Sequence, residues 1–89
     1  MEELLTHRRP SEYHGDLTVT VARNAAGRLV RLRERRAPEH GSSSSKDEVA
    51  LDAWSDHAGW LEVAAMDGWS GRSFASMSEA ARKLAGSLR

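Results

Sequence analysis

Apolar and polar residues alternate through most of this chain, and the alternation sets its elements. In DLTVTVA, residues 16–22, Leu17, Val19 and Val21 alternate with Thr18 and Thr20, the period-two pattern of a half-buried strand rich in β-branched residues. Asn24-Ala25-Ala26-Gly27 reads as a turn, with Gly27 free to take a positive φ. RLVRLRERR then resumes the alternation, placing Val30 and Leu32 inward and Arg31, Arg33 and Arg35 outward. Leu, Arg and Glu also suit a helix, but a short turn after a clear strand favours a hairpin.

The second half repeats the theme. Val49, Leu51 and Ala53 share one face, Asp56-His57-Ala58-Gly59 makes a turn, and Leu61, Val63 and Ala65 alternate with Trp60, Glu62 and Met66. Asp67-Gly68 is a tight-turn signal, followed by a short strand from Arg72 to Phe74. The period then changes to that of a helix. Ser76 and Glu79 have the spacing of a capping box, and Met77, Ala80, Ala81, Leu84 and Leu88 form one apolar stripe. Arg82 and Lys83 lie toward the helix C-terminus, where the dipole favours cations. Gly86 either caps this helix or weakens its last turn.

Two stretches break the pattern. EELLTHRR, before Pro10, has too few apolar anchors for more than one or two helical turns, so residues 1–15 are expected to be loosely ordered. APEHGSSSSKD, residues 37–47, has the composition of a flexible loop. The expected architecture is α+β: an antiparallel sheet of about four strands with a C-terminal α-helix packed on one face, in one small domain over residues 16–89.

Composition narrows the function classes. Eighty-nine residues make one domain with a modest core. Without cysteine there is no disulfide or thiolate-bound metal. No apolar run spans a bilayer, and Glu2 and Glu3 stand where a signal peptide carries positive charge, so a soluble, cytoplasmic protein with no membrane contact is expected. His7, His14, His40 and His57 lie in separate segments, and no nucleophile elbow or phosphate-cradling loop is present. Asp52, Asp56 and His57 crowd one hairpin tip, an ordinary place for polar residues. These observations predict no enzyme and no cofactor.

Charge is neutral overall but segregated. Residues 23–36 hold Arg23, Arg28, Arg31, Arg33, Arg35 and Arg36 against Glu34, whereas residues 37–67 hold seven acids against Lys46. Arginines on the outer face of a strand make a phosphate-facing ridge, and a two-stranded ribbon fits a major groove where Arg reads guanine. The bland counterpart is a solvated face whose arginines pair with acids of the same domain. Trp60 and Trp69 are expected in the core more firmly than Trp54, because acidic neighbours (Asp52, Asp56, Glu62, Asp67) disfavour a base-stacking surface there.

The run LEVAAMDGWSGRSFASMSEAARKLAG, residues 61–86, resembles an uncharacterised family of small proteins associated with phages and mobile elements. Asp67, Gly68, Trp69, Gly71, Arg72, Phe74, Ser76, Met77, Ser78, Ala81, Leu84 and Gly86 take the places of that family's strand, turn and Gly-Arg-x-aromatic-x-Ser-Leu-Ser-x-x-Ala signature. The turn is about two residues shorter here. Phe74-x-Ser76-x-x-Glu79-Ala80-Ala81 is also similar to the modular helix motif of homing endonucleases, to the strand-to-helix end of Apetala-type DNA-binding domains, and to β-β-β-α antitoxins. The resemblance implies a nucleic-acid-associated or mobile-element context.

Two functions follow as expectations. The first is a DNA-binding accessory or regulatory protein that contacts duplex DNA through Arg31, Arg33 and Arg35, with Arg23, Arg28, Arg72 and Lys83 at the periphery. The second is a protein-interaction module, antitoxin-like, phage-inhibitor or subunit-binding, with a homodimer among the forms it can take. In it the acidic segment (Asp47, Glu48, Asp52, Asp56) or a sheet edge meets a partner.

Overall fold

A computed structural model describes residues 1–11, 13–38, 46–69 and 73–89. It contains strands β1 (Glu2–Arg9), β2 (Asp16–Arg23), β3 (Leu29–Arg36), β4 (Lys46–Ser55) and β5 (Gly59–Trp69), then helix α1 (Phe74–Ser87). The strands form one antiparallel meander in sequence order, β1-β2-β3-β4-β5. Helix α1 packs across β4 and, to a lesser extent, β3 and β5. The fold is therefore α+β, with five strands where the sequence predicts about four. The serine run of the predicted loop, Arg72 and the side chain of Trp69 lie outside the described residues.

The hairpin turns fall where glycine permits. Gly27 (φ +82°) closes β2–β3 and Gly59 (φ +75°) closes β4–β5, both in the left-handed region that costs other residues strain. The β2–β3 register pairs Val21 with Arg31, Val19 with Arg33 and Leu17 with Arg35. Opposed residues share a face, so the arginine row of β3 and the apolar row of β2 lie side by side. The alternate residues, Thr20 and Ala22 of β2 and Val30, Leu32 and Glu34 of β3, face the helix and are buried.

The core beneath α1 is built from small and medium side chains: Ala22, Val30, Leu32, Val49, Leu51, Met77, Ala81 and Ala85, with Phe74, Leu84 and Leu88 packed at its margin. Alanine on the helix lets the backbone lie close to the sheet. Gly68 extends this closeness, because a Cβ there would stand 2.7 Å from the Cβ of Ser73.

Several local expectations are corrected. Residues 2–9 pair with β2 along their length rather than forming a short helix or a loose segment. The pairing supplies what apolar anchors could not, since all eight side chains remain exposed. Asp67-Gly68 is not a turn: β5 continues through Trp69, with Asp67 opposite Glu48 and Gly68 opposite Asp47. The glycine serves helix approach instead. Phe74 opens the helix rather than ending a strand, with Ser73 at the N-cap and no side-chain cap bond. Ser76 thus lies inside the first turn, too late to cap, whereas Gly86 lies within the last turn, the second of its two expected places.

Alternation in β5 also breaks. Leu51 pairs with Ala64 but Asp52 with Glu62, which leaves Val63 as an extra residue in a β-bulge. Leu61 therefore shares the helix side with Ala64 and Met66, while Ala65 turns away. Trp60 lies opposite Trp54 on the face away from α1, so it is outside the core where the sequence places it.

The helix C-terminus is held by a residue far away in sequence. Asn24, buried in the β2–β3 turn, donates through Nδ2 to the carbonyls of Ala85 (2.9 Å) and Leu88 (2.7 Å). Its Oδ1 accepts from the backbone N–H of Ala26 (3.0 Å) and Arg28 (2.8 Å). One side chain thereby shapes a turn and satisfies helix-end carbonyls that lack intrahelical partners. Asn24→Ala is expected to lower stability by about 1–3 kcal/mol, the cost of leaving such buried groups unpaired. Urea unfolding should show a lower midpoint with an unchanged slope.

Candidate functional site

The sheet has one face covered by α1 and one bare, and the bare face carries the candidate chemistry. Register places its residues in rows across the strands. One row runs Leu5, Val21, Arg31, Asp52, Glu62; the next His7, Val19, Arg33, Ala50, Ala65; the third Arg9, Leu17, Arg35, Glu48, Asp67. Across the face the character changes from apolar on β2 to basic on β3 and acidic on β4 and β5.

Asp52 organises the middle of this surface. It is only 2% exposed, and its carboxylate accepts from Nε of Arg31 (2.8 Å), Nε of Arg33 (2.8 Å) and Nη2 of Arg33 (2.8 Å). Arg33 extends the network by donating to Glu62 at 2.9 Å. Burial alone pushes the Asp52 carboxyl up. Hydrogen bonds from Arg33 and Arg31 outweigh it and hold the group below the usual carboxylate range. The bond to Asp52, foremost, raises the Arg33 guanidinium further. Arg31 also lies over the Trp60 ring at 4.7 Å from its centroid, and Trp60 meets Trp54 edge-on at 5.4 Å. The indole of Trp54 donates to Asp56 at 3.1 Å.

The sequence-predicted residues divide accordingly. Arg31, Arg33 and Arg35 point away from the core, as the alternation requires. Arg31 and Arg33 are nevertheless clasped by Asp52 and Glu62 rather than left unneutralised by their own chain. Arg35 contacts the His14 carbonyl at 3.4 Å. Arg23 donates to Gly27 within the hairpin (3.1 Å) and Arg28 to the Arg89 carbonyl (3.5 Å). Lys83 is exposed on α1, on the opposite side of the sheet from the β3 arginines. These cations do not form one surface. Two acids of the acidic segment are likewise drawn inward, Asp52 holding the arginines and buried Asp47 accepting from the Ala37 N–H at 2.8 Å, whereas Glu48 and Asp56 are exposed.

Residues that sequence reasoning missed are the apolar members of the bare face. Leu17, Val19 and Val21 are half-buried there, and Leu5 is 62% exposed. Their alternation was legible; the side they face was not. A shallow depression beside them is lined by Leu17, Arg33, Arg35, Glu48, Ala50 and Glu62. Among the described residues, no three His, Asp or Glu side chains gather so as to hold a metal ion, and no helix is long and apolar enough to cross a membrane.

Asp52→Asn is expected to cost about 1–3 kcal/mol at neutral pH, because a charged acceptor for two guanidiniums is lost. The carboxyl is depressed in the folded state, so its contribution is present above the unfolded value near about 4 and disappears as pH falls through the lower folded value. The stability gap between wild type and Asp52→Asn, from urea unfolding, should therefore narrow as the pH is lowered from about 7 toward 2.

Compared with known protein families, with curated proteins and with solved structures, the chain finds no match.

Proposed function

We propose that this chain is a non-enzymatic protein-interaction module whose bare sheet face is its docking surface. One observation carries the reading. Leu17, Val19 and Val21, with Leu5 beside Val21, form a continuous apolar strip on a sheet face that α1 leaves uncovered. A rigid antiparallel sheet presents such a strip at little cost in ordering, which favours binding by preformed surfaces. The strip is bordered by Arg9 and Arg35 at one end and by the Arg31–Arg33 row along its length. The fitting partner is a protein whose apolar ridge carries carboxylates at the end that meets Arg9 and Arg35.

The nucleic-acid reading is weaker on this geometry. Duplex affinity grows with phosphates neutralised by free cations, whereas Arg31 and Arg33 already share Asp52 and Glu62. Acidic Glu48, Glu62 and Asp67 also occupy the other half of the same face.

Affinity capture with the wild-type chain, in nuclease-treated extract, should recover a stoichiometric protein partner. Val19→Asp should abolish that capture while leaving the circular dichroism spectrum and unfolding midpoint close to wild type, since Val19 lies outside the helix-side core. Capture that survives Val19→Asp would refute the docking surface. Salt-dependent binding of duplex DNA, lost in an Arg35→Glu variant, would reinstate the nucleic-acid reading in its place.

A further inference from the structure

We infer that two copies of this chain associate through β1, pairing edge to edge about a two-fold axis normal to the sheet. The inference concerns the sheet edge and is independent of the docking face. β1 is an outer strand of the meander, α1 touches it only through the long Arg82–Glu3 contact, and all eight of its side chains are exposed. Such a strand offers a row of unpaired backbone donors and acceptors to another chain. Proteins usually blunt an edge of this kind; here the sequence and local geometry instead fit a second copy.

Charge is the first argument. β1 reads EELLTHRR, with Glu2 and Glu3 at one end and Arg8 and Arg9 at the other. Antiparallel self-pairing brings the acidic end of each copy to the basic end of its partner. Within the monomer these charges are only loosely engaged: Arg8 reaches Asp16 at 3.2 Å with both side chains well exposed, and Glu3 reaches Arg82 only at 3.9 Å. The other edge, β5, carries Glu62 and Asp67 and no cation, so self-pairing there would bring acids together.

Register is the second argument. A two-fold axis normal to the sheet keeps each residue on its own face, so paired residues must share a face. With respect to β2, Glu3 lies opposite Ala22 and Thr6 opposite Thr20 on the helix side. Glu2, Leu5, His7 and Arg9 lie opposite Arg23, Val21, Val19 and Leu17 on the bare side. Leu4 is the extra residue of a bulge between Glu3 and Leu5. If Thr6 sits on the axis, Leu5 meets His7. Past the extra Leu4, Glu3 meets Arg8 on the helix side and Glu2 meets Arg9 on the bare side. Without the bulge, these same charge pairs would require side chains on opposite faces. The irregularity that usually guards an edge here brings two kinds of charge pair into register.

An isologous pairing of this kind closes on itself and stops at two copies. It makes a ten-stranded sheet whose bare faces are continuous and whose two helices lie on the same side.

Analytical ultracentrifugation of the wild-type chain should show a dimer at about 100 μM that dissociates on dilution and on adding salt. The double variants Glu2→Arg/Glu3→Arg and Arg8→Glu/Arg9→Glu should each weaken self-association about thirtyfold or more, because like charges then face each other. Mixing the two variants should restore a one-to-one heterodimer. Deuterium exchange in the wild type should slow at β1 amides with rising protein concentration. A wild-type chain that stays monomeric at millimolar concentration, or single-sided variants that dimerise as the wild type does, would overturn the inference. Should either variant fail to fold, concentration-independent exchange at β1 in the wild type would overturn it as well.

Discussion

A carboxylate almost wholly withdrawn from water, Asp52, sits in the middle of a sheet face, and much of the structure answers to it. An ionised carboxylate in that position is tolerated only with strong compensation. Arg31 and Arg33 supply it from β3, two residues apart and therefore on one face. A one-residue slip between β3 and β4 would put both guanidiniums on the helix side and strand the acid. The ion cluster thus specifies register as well as contributing stability. The other face of β3 obeys a similar rule. Glu34 is buried beneath the helix, where the Ser78 hydroxyl and Arg82 donate to it. The strand is charged on both sides, with Arg31 and Arg33 matched from β4 and β5 and Glu34 from α1.

That arrangement explains how so thin a core holds one helix in one place. Alanines at 81 and 85 and the missing side chain at 68 bring α1 close, but alanine packing has few shape constraints of its own. Ser78 and Arg82 fix the helix against Glu34, and the Asn24 amide fixes its far end. The helix consequently lies over β3, β4 and β5 and shelters Ala22 of β2, leaving β1 exposed. The apolar strip of β2 is left bare because α1 covers only the other face, and the edge of β1 because α1 is offset from it. An edge-paired dimer would double the strip into one platform, so assembly and docking would use adjoining rather than competing surfaces.

Local chemistry made most of the elements legible. Thr-Val alternation gives β2, Gly27 and Gly59 mark hairpins, and the stripe through Met77, Ala81 and Leu84 gives α1. What escaped depends on contacts between distant segments. Glu2–Arg9 has no apolar alternation because, as a fully exposed edge, it has no buried side to encode. Met66 changes sides because of Val63, an extra residue that no period-two count reveals. Asp67-Gly68 has turn letters, yet its glycine is explained by Ser73 approaching from the helix. The arginines of β3 were read correctly as outward-facing. Pairing with acids of the same domain was one of the two readings of that face; that the acids are Asp52 and Glu62 was not legible, because these become neighbours only once β4 and β5 take their registers.

The Asn24 amide has a kinetic consequence. A β2–β3 hairpin can form within microseconds by itself, but this one stays incomplete until the carbonyls of Ala85 and Leu88 accept from Nδ2. The final helical turn, for its part, cannot fray without disturbing the hairpin bend. Elements that ordinarily breathe separately are merged into one cooperative opening unit, so motion at the far end of α1 is felt at the head of the arginine strand.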